Sequence, residues 1–209
     1  MKNIIKLVCY ALFLSSTATL ADVDQDVDLL AKAWAKANYQ LNGAQQEEAF
    51  ESLIEQSSEA VKLHPASADI LIWRGIIKSS FAGVKGGLSA LSLIKEAKKD
   101  LEKSILLDDK ALSGSAYTTL GTLYFKAPGW PISFADDEQA KRHLQKGILL
   151  NPNGIDSHYF YALFLLDQGE KKQAQASFIK ALDAKARPGR ALADSGRRHE
   201  INEALHEIN

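Results

Sequence analysis

Cysteine is almost absent from this sequence, which has one, Cys9, among its 209 residues. A lone cysteine forms no internal disulfide, so the core alone must hold the fold together. Histidine is sparse as well, with five in the chain and no H-x3-H pair. The usual spacings of zinc ligands are therefore missing, and we predict neither a metal site nor a cofactor.

The sequence also lacks an excess of charge of either sign. It has 25 lysines and arginines against 26 aspartates and glutamates, a net charge of −1. Such a balance provides no basic field for nucleic acid or for an acidic membrane surface. Catalytic motifs are missing too: there is no G-x-S-x-G, and GVKGG at residues 83–87 does not match G-x-x-x-x-G-K-[ST]. We predict a chain that is not an enzyme and does not bind nucleic acid, and we interpret residues 83–87 as a flexible turn before an apolar helix.

The first 21 residues differ from the rest of the chain. Lys2 and Lys6 precede a short apolar run, residues 7–14, and Ala21 ends a stretch of small residues before an acidic segment. This order is typical of a secretory signal peptide cleaved near Ala21, although an uncleaved amphipathic first helix is the alternative. The apolar run is too short to span a bilayer comfortably. We expect a periplasmic or secreted protein without stable membrane insertion.

Small residues recur in phase along the rest of the chain. Residues 117–124 match the W-x2-L-G-x2-Y opening of a tetratricopeptide repeat, with tyrosine in place of the tryptophan and Gly121 at the glycine. Ala140 belongs to the second half of that repeat; Ala174 follows it by 34 residues and Ala97 precedes it by 43. Paired antiparallel helices approach closely only where small residues meet. Stacked pairs then bury the apolar faces that one pair leaves open.

This pattern predicts an all-α fold. We expect a right-handed tetratricopeptide-repeat superhelix of about four helix pairs plus a C-terminal capping helix, with Asp194 or Ser195 as the N-cap of that last helix. The predicted segments are a degenerate first repeat at 22–65, an array at 66–186 with turn insertions at 81–96 and 126–134, and the capping helix at 187–209.

Four stretches of this sequence resemble a known family. They are WRGIIKSSFAGVKGGLSALSLIKEA, GSAYTTLGTLYFKAPGWPISFADDEQA, NPNGIDSHYFYALFLLDQG and RPGRALADSGRR. Together they resemble bacterial exported tetratricopeptide-repeat proteins of the TatT type, which are associated with tripartite ATP-independent periplasmic (TRAP) transporters. The resemblance covers roughly residues 65–200. It implies a non-enzymatic periplasmic helical protein that oligomerises, pairs with a substrate-binding partner and carries an apolar channel or cavity.

A binding surface is expected where the first helices of the pairs line the concave face. The candidate residues, which include two from the second insertion, are Ile72, Ile76, Thr118, Thr122, Trp130, Phe134, Tyr159 and Leu163. Their mixture of apolar and hydroxyl groups suits an apolar peptide segment or a lipid-like molecule better than a charged tail. Ordinary packing between repeats is the alternative for each residue singly. Two functions stay open: a scaffold for a protein partner, such as a periplasmic substrate-binding protein, and a carrier of a small apolar ligand.

The stretch KAPGWPISF, residues 126–134, has two interpretations. Its two prolines restrict the backbone. Trp130 and Phe134 either hold this long turn against the helices or face a ligand. Asp136 and Asp137, which follow directly, are expected to cap the next helix near its positive N-terminus.

A small basic cluster near the C-terminus is open to interpretation as well. It consists of Arg187, Arg190, Arg197 and Arg198. These side chains are either solvated or ion-paired within the chain, or they contact an anion or a partner.

Overall fold

α-Helices make up most of the described part of the chain. The structure, a computed structural model, describes residues 22–129 and 131–208, and within these ranges it contains helices and no strand. In order these are α1 (22–39), α2 (Gly43–Leu63), α3 (Ala68–Lys85), α4 (Gly87–Leu107), α5 (Ser115–Lys126), α6 (Asp137–Leu150), α7 (Ile155–Asp167), α8 (Lys171–Leu182) and α9 (Ala191–Ile208). The predicted signal peptide, residues 1–21, and Trp130 lie outside the described residues.

Small residues at the helix contacts let α3 and α4, α5 and α6, and α7 and α8 pack as pairs. A Cβ on Gly121 of α5 would lie 2.6 Å from Leu144 Cγ and 2.9 Å from Leu144 backbone N in α6. A Cβ on Gly75 of α3 would meet the facing leucine of α4 at 2.7 Å. Ala140 and Ala174 are 0% exposed in the second helices of their pairs. The predicted class, an all-α tetratricopeptide-repeat array with a C-terminal capping helix, is confirmed.

The first insertion lengthens two helices and adds no loop. α3 continues to Lys85 and α4 begins at Gly87, so Gly86 alone turns the chain. Gly86 and Gly87 have φ of 64° and 59°, left-handed values that glycine adopts without the steric cost of a side chain. The extra residues form additional helical turns, and Leu91 and Ile94 in these turns of α4 line a cavity.

The second insertion is a loop over residues 127–136 that is fastened at its end. Asp136 accepts a hydrogen bond from the backbone N of Gln139 at 3.0 Å, which confirms its predicted role as N-cap of α6. The backbone N of Asp136 donates to the Tyr124 carbonyl at 3.0 Å. Phe134 packs edge-to-face on Tyr124 with ring centroids 5.6 Å apart. Phe134 therefore holds the loop against α5.

A left-handed turn joins α4 to α5. Leu112 and Ser113 have φ of 44° and 53°, and Gly114 follows at 76°. Each non-glycine residue in this region costs about 1–2 kcal/mol. Glycine is also required for space, because a Cβ on Gly114 would lie 2.7 Å from Leu150 Cδ1. The turn places Ser113 and the first residue of α5, Ser115, in the wall of the same cavity.

The last helix connects the two ends of the array. Its C-terminal half covers the last pair, where Ile201 is 0% exposed among residues of α7 and α8. Its N-terminal half lies on α1, where Ala193 packs in one cluster with Trp34. Gly196 faces Tyr39 so closely that a Cβ there would lie 2.3 Å from a ring carbon. α9 therefore spans from the last repeat to the first helix.

The helix α9 begins earlier than the sequence predicts. Its first residue is Ala191, so Asp194 and Ser195 lie inside the helix and the predicted N-cap is wrong. The Asp194 carboxylate instead accepts hydrogen bonds from Arg187, at 2.8 Å from its backbone N and 2.7 Å from its Nε. This carboxylate fixes the segment before the helix.

Candidate functional site

A cavity of about 670 Å³ lies between the first helices of the pairs and α9. Its walls come from α1, α3, α5, α7 and α9, with the start of α4 and residues 127–128. This volume falls within the range of small-molecule binding sites. Because α9 packs on α1, the two ends of the array meet beside this space, which stays partly open to solvent.

One wall of the cavity is apolar. It contains Trp34 of α1, Trp73 and Ile76 of α3, and Leu91 and Ile94 of α4. The two indole rings lie with centroids 5.9 Å apart. Apolar area of this kind contributes roughly 25 cal/mol per Å² when a ligand removes it from water. The wall can therefore hold the apolar part of a molecule.

A second wall consists of hydroxyl groups, mostly from α5. Thr119 Oγ1 donates to the Ser115 carbonyl and Thr122 Oγ1 to the Thr118 carbonyl, both at 2.9 Å. Since these hydroxyl hydrogens are used inside the helix, the oxygens keep acceptor capacity. The hydroxyl residues of the wall are Ser79, Ser80, Ser113, Ser115, Thr118, Thr119 and Thr122.

The end of the cavity near α9 contains a chain of ion pairs centred on Asp156. Asp156 Oδ1 accepts from Arg197 Nε at 2.8 Å, and Oδ2 accepts from Arg187 Nη1 at 2.7 Å. Arg187 continues to Asp194, with Nη2 and Oδ1 2.6 Å apart. Arg197 continues to Glu200, with Nη1 and Oε2 2.5 Å apart. These bonds join α7 to α9 and to the segment before α9.

Burial and charge act in opposite directions on the groups of this network. Burial by itself raises the pKa of Asp156, but the positive charges and hydrogen bonds of Arg197 and Arg187 lower it to about 2. Burial by itself lowers the pKa of Arg197, but Asp156 and its other neighbours raise it well above its usual range. Burial raises the pKa of Tyr159 to about 12. Arg197 lies 4.2 Å from the Tyr159 ring centroid, so its planar face is covered as well.

Of the eight residues predicted to form the binding surface, four line the cavity, three pack elsewhere and one lies outside the described residues. Those that line the cavity are Ile76, Thr118, Thr122 and Tyr159. Ile72 is 0% exposed in the core between α3, α4 and α5. Phe134 packs on Tyr124, and Leu163 packs among the apolar residues of α7 and its neighbours. Trp130 lies outside the described residues.

Asp156, Trp34 and Trp73 are cavity residues that the sequence did not single out. Asp156 is the second residue of a largely apolar helix, α7. An acidic residue in the first turn of a helix is explained by its favourable interaction with the positive N-terminus, so it gives no sign of another role. Its partners lie 31 and 41 residues away in the sequence, so local sequence patterns do not predict these ion pairs. For the arginine cluster, the sequence left ion pairs within the chain and contact with an anion or a partner as alternatives; Arg187 and Arg197 are ion-paired within the chain.

The described residues contain no group of three or more histidine, cysteine, aspartate or glutamate side chains placed to hold a metal ion. No helix among them is long and apolar enough to cross a membrane.

Comparisons with known proteins add little to this geometry. No protein-family model matches the sequence, and no curated protein matches it. Among solved structures, the chain is similar to "Crystal structure of MamA", with 22% identity, a TM-score of 0.46, and coverage of 78% of this chain and 89% of that one. It is similar to "Crystal structure of MamA protein" with 20% identity, a TM-score of 0.45, and coverage of 88% and 91%. Likeness at this distance carries no functional conclusion.

Proposed function

We propose that this chain is a binding protein that carries a small, largely apolar molecule in the cavity. The observation that supports this proposal is the contact between α9 and α1 at Gly196 and Tyr39. It joins the two ends of the array beside a partly open space of about 670 Å³, whereas an array with separate ends would offer a long groove for a peptide. The indoles of Trp34 and Trp73 and the side chains of the lengthened α4 supply the apolar surface.

Decanol is a suitable probe of this function, and Gly83 provides the variant. Gly83 lines the cavity, and a Cβ built on it meets nothing within 4 Å. Gly83→Phe is expected to weaken decanol binding at least roughly tenfold, because the ring occupies the space that the ligand needs. Binding is measured by the change in tryptophan fluorescence, to which the cavity residues Trp34 and Trp73 contribute. Gly83→Ala, the matched control, should bind decanol as wild type does; equal binding by Gly83→Phe, or no binding by wild type, contradicts the proposal.

The outer surface supports a second candidate function, a scaffold for a protein partner. Leu63, Leu106 and Leu149 are 74%, 86% and 72% exposed near the ends of α2, α4 and α6. They follow one another at 43-residue intervals, so successive repeats present the same apolar position. Burial of these side chains by a partner that spans successive repeats would be favourable. We propose that the partner is a periplasmic substrate-binding protein of a TRAP-type uptake system and that the chain is exported after cleavage near Ala21; the residue patterns described above support this.

Cross-linking in the periplasmic fraction tests the scaffold. Leu106→Glu is expected to abolish at least roughly nine tenths of an adduct with a substrate-binding protein, because a buried carboxylate without a partner is strongly unfavourable. Leu88→Glu is the matched control, since Leu88 is 84% exposed and lies outside the leucine series. Light scattering on the purified chain tests whether the leucines instead contact a second copy of it. In that case the wild type is an oligomer and Leu106→Glu is a monomer. Absence of the chain from the periplasmic fraction, or an adduct unchanged in Leu106→Glu, overturns this candidate.

A further inference from the structure

Two hydrogen-bond donors in the cavity wall have no acceptor. Trp73, which is 3% exposed, has no hydrogen-bond partner for its Nε1 among the described residues, and neither has the Nε of Arg190. The two groups are neighbours, because the Arg190 guanidinium carbon lies 4.9 Å from the Trp73 ring centroid. Leaving a buried donor unbonded costs free energy, and most such groups in folded proteins are bonded. Both donors therefore need an acceptor, and the side chains that carry them are in contact.

The carboxylates nearby are already used by other arginines. Both oxygens of Asp156 bond to Arg187 and Arg197, and both oxygens of Asp194 bond to Arg187. No ion pair of the described residues includes Arg190. Burial lowers the pKa of Arg190, and the positive charge of Arg187 lowers it further, while Asp156 and Asp194 offset part of this. Arg190 is the cation of this cluster that lacks a bonded anion.

The charges in contact with one another around Arg190 favour a ligand with one negative charge over a ligand with two. The cluster holds three carboxylates, Asp156, Asp194 and Glu200, and three guanidiniums, Arg187, Arg190 and Arg197. A dianion would add two negative charges to a group that is already balanced, and repulsion in this partly buried place would be strong. A monocarboxylate adds one charge and supplies two oxygens, which matches the two unbonded donors.

We propose that the cavity binds a monocarboxylate with an apolar tail. Its carboxylate accepts hydrogen bonds from Arg190 Nε and Trp73 Nε1, and its tail lies against Ile76, Leu91 and Ile94. This proposal deepens the carrier function and rests on it. It commits to a small molecule, because the cavity that contains both donors has a volume of about 670 Å³, within the range of small-molecule sites.

Three probes of equal chain length test the headgroup: decanoate, decanol and decylamine. Wild type should bind decanoate roughly tenfold or more tightly than decanol, and decylamine more weakly than either, because a hydrogen bond to a charged group stabilises more than a neutral one. Arg190→Gln should remove this preference while decanol binding stays within about twofold. Arg142→Gln, which removes the same charge from the exposed surface of α6, is the matched control and should behave as wild type.

Two conservative variants separate the contribution of the N–H donors to binding from that of the positive charge. Arg190→Lys keeps the positive charge and loses the Nε donor, and Trp73→Phe keeps an aromatic ring and loses the indole N–H. Each should weaken decanoate by a smaller factor than Arg190→Gln does, roughly threefold to tenfold. Decanol, measured on every variant, reports whether the cavity is still folded and open.

The outcomes distinguish this proposal from the function on which it rests. If no probe binds wild type, the carrier function itself fails. If decanol and decanoate bind equally, or if Arg190→Gln retains the preference for decanoate, the carrier function stands and the carboxylate site is refuted. Tighter binding of decylamine than of decanoate would also refute it, since the cluster would then select a cation.

Discussion

Gly121→Ala is expected to lower the free energy of unfolding by about 3 kcal/mol, because one methyl group has no room between α5 and α6. The new Cβ would lie 2.6 Å from Leu144 Cγ, 2.9 Å from Leu144 backbone N and 3.0 Å from the Ala140 carbonyl oxygen. Two of these three atoms belong to the backbone, so rotation of a side chain does not relieve the contact. The helices must separate, and the melting temperature should fall by roughly 6–12 °C.

Gly83→Ala is the matched control for this measurement. It makes the same chemical change in α3, where nothing lies within 4 Å of the added Cβ. Alanine is favoured over glycine inside a helix by about 1 kcal/mol, so this variant should be as stable as wild type or slightly more stable. Urea denaturation followed by circular dichroism compares the two. If Gly121→Ala and Gly83→Ala are equally stable, the close approach of α5 and α6 at Gly121 is wrong.

Asp156→Asn is the second substitution with a large expected effect, a loss of about 3 kcal/mol. The amide keeps the size of the side chain and removes the charge shared by Arg187 and Arg197. Arg197 suffers most, because its side chain is 7% exposed and Glu200 then becomes its remaining ion-pair partner. Asp109→Asn is the control: the pair of Asp109 with Lys146 spans 3.8 Å at the surface, and its loss should cost at most about 0.5 kcal/mol.

Acid should reduce the difference between wild type and Asp156→Asn. The folded pKa of Asp156, about 2, lies below the value of roughly 4 for an unfolded aspartate. The ionised carboxylate therefore stabilises the fold above about pH 4, and this contribution is lost as the pH falls toward 2. Denaturation series between these values should show the two proteins converging by about 2 kcal/mol. A difference that stays constant over this range would show that Asp156 is not held as an anion by the two arginines.

Local spacing was sufficient to predict the helix pairs. Gly121, Ala140 and Ala174 recur where a tetratricopeptide repeat needs small residues, and each is buried at a helix contact. The N-cap at Asp136 was equally predictable, since its hydrogen bond reaches three residues along the chain. Repeat spacing and N-caps depend on residues close together in the sequence, so periodicity and capping preferences are enough to predict them.

The cavity was predictable only in part. Ile76, Thr118, Thr122 and Tyr159 belong to first helices, and the repeat pattern places those helices along one face. Ile72 was assigned to the same face, but it lies in the core between α3 and α4 because the neighbouring position, Trp73, is the one that reaches the cavity.

The features that could not be predicted from the sequence depend on contacts between residues far apart in it. The packing of Gly196 on Tyr39 joins residues at opposite ends of the array, and the bonds of Asp156 reach Arg187 and Arg197 in a different segment. Neither contact follows from a repeat, because each occurs once. Residues 83–87 were interpreted as a flexible turn before an apolar helix. That helix is the start of α4, but the turn is shorter than predicted, since α3 continues to Lys85 and Gly86 alone separates the two helices.

The packing of α9 on α1 has a consequence for how the chain unfolds. Linear repeat proteins fray from their ends, since a terminal repeat has a neighbour on one side only. Here the first helix and the last share a surface at Tyr39, Ala193 and Gly196, so neither end is a free terminus of the stack. Loss of the first repeat would uncover the last, and the molecule should therefore melt as one cooperative unit.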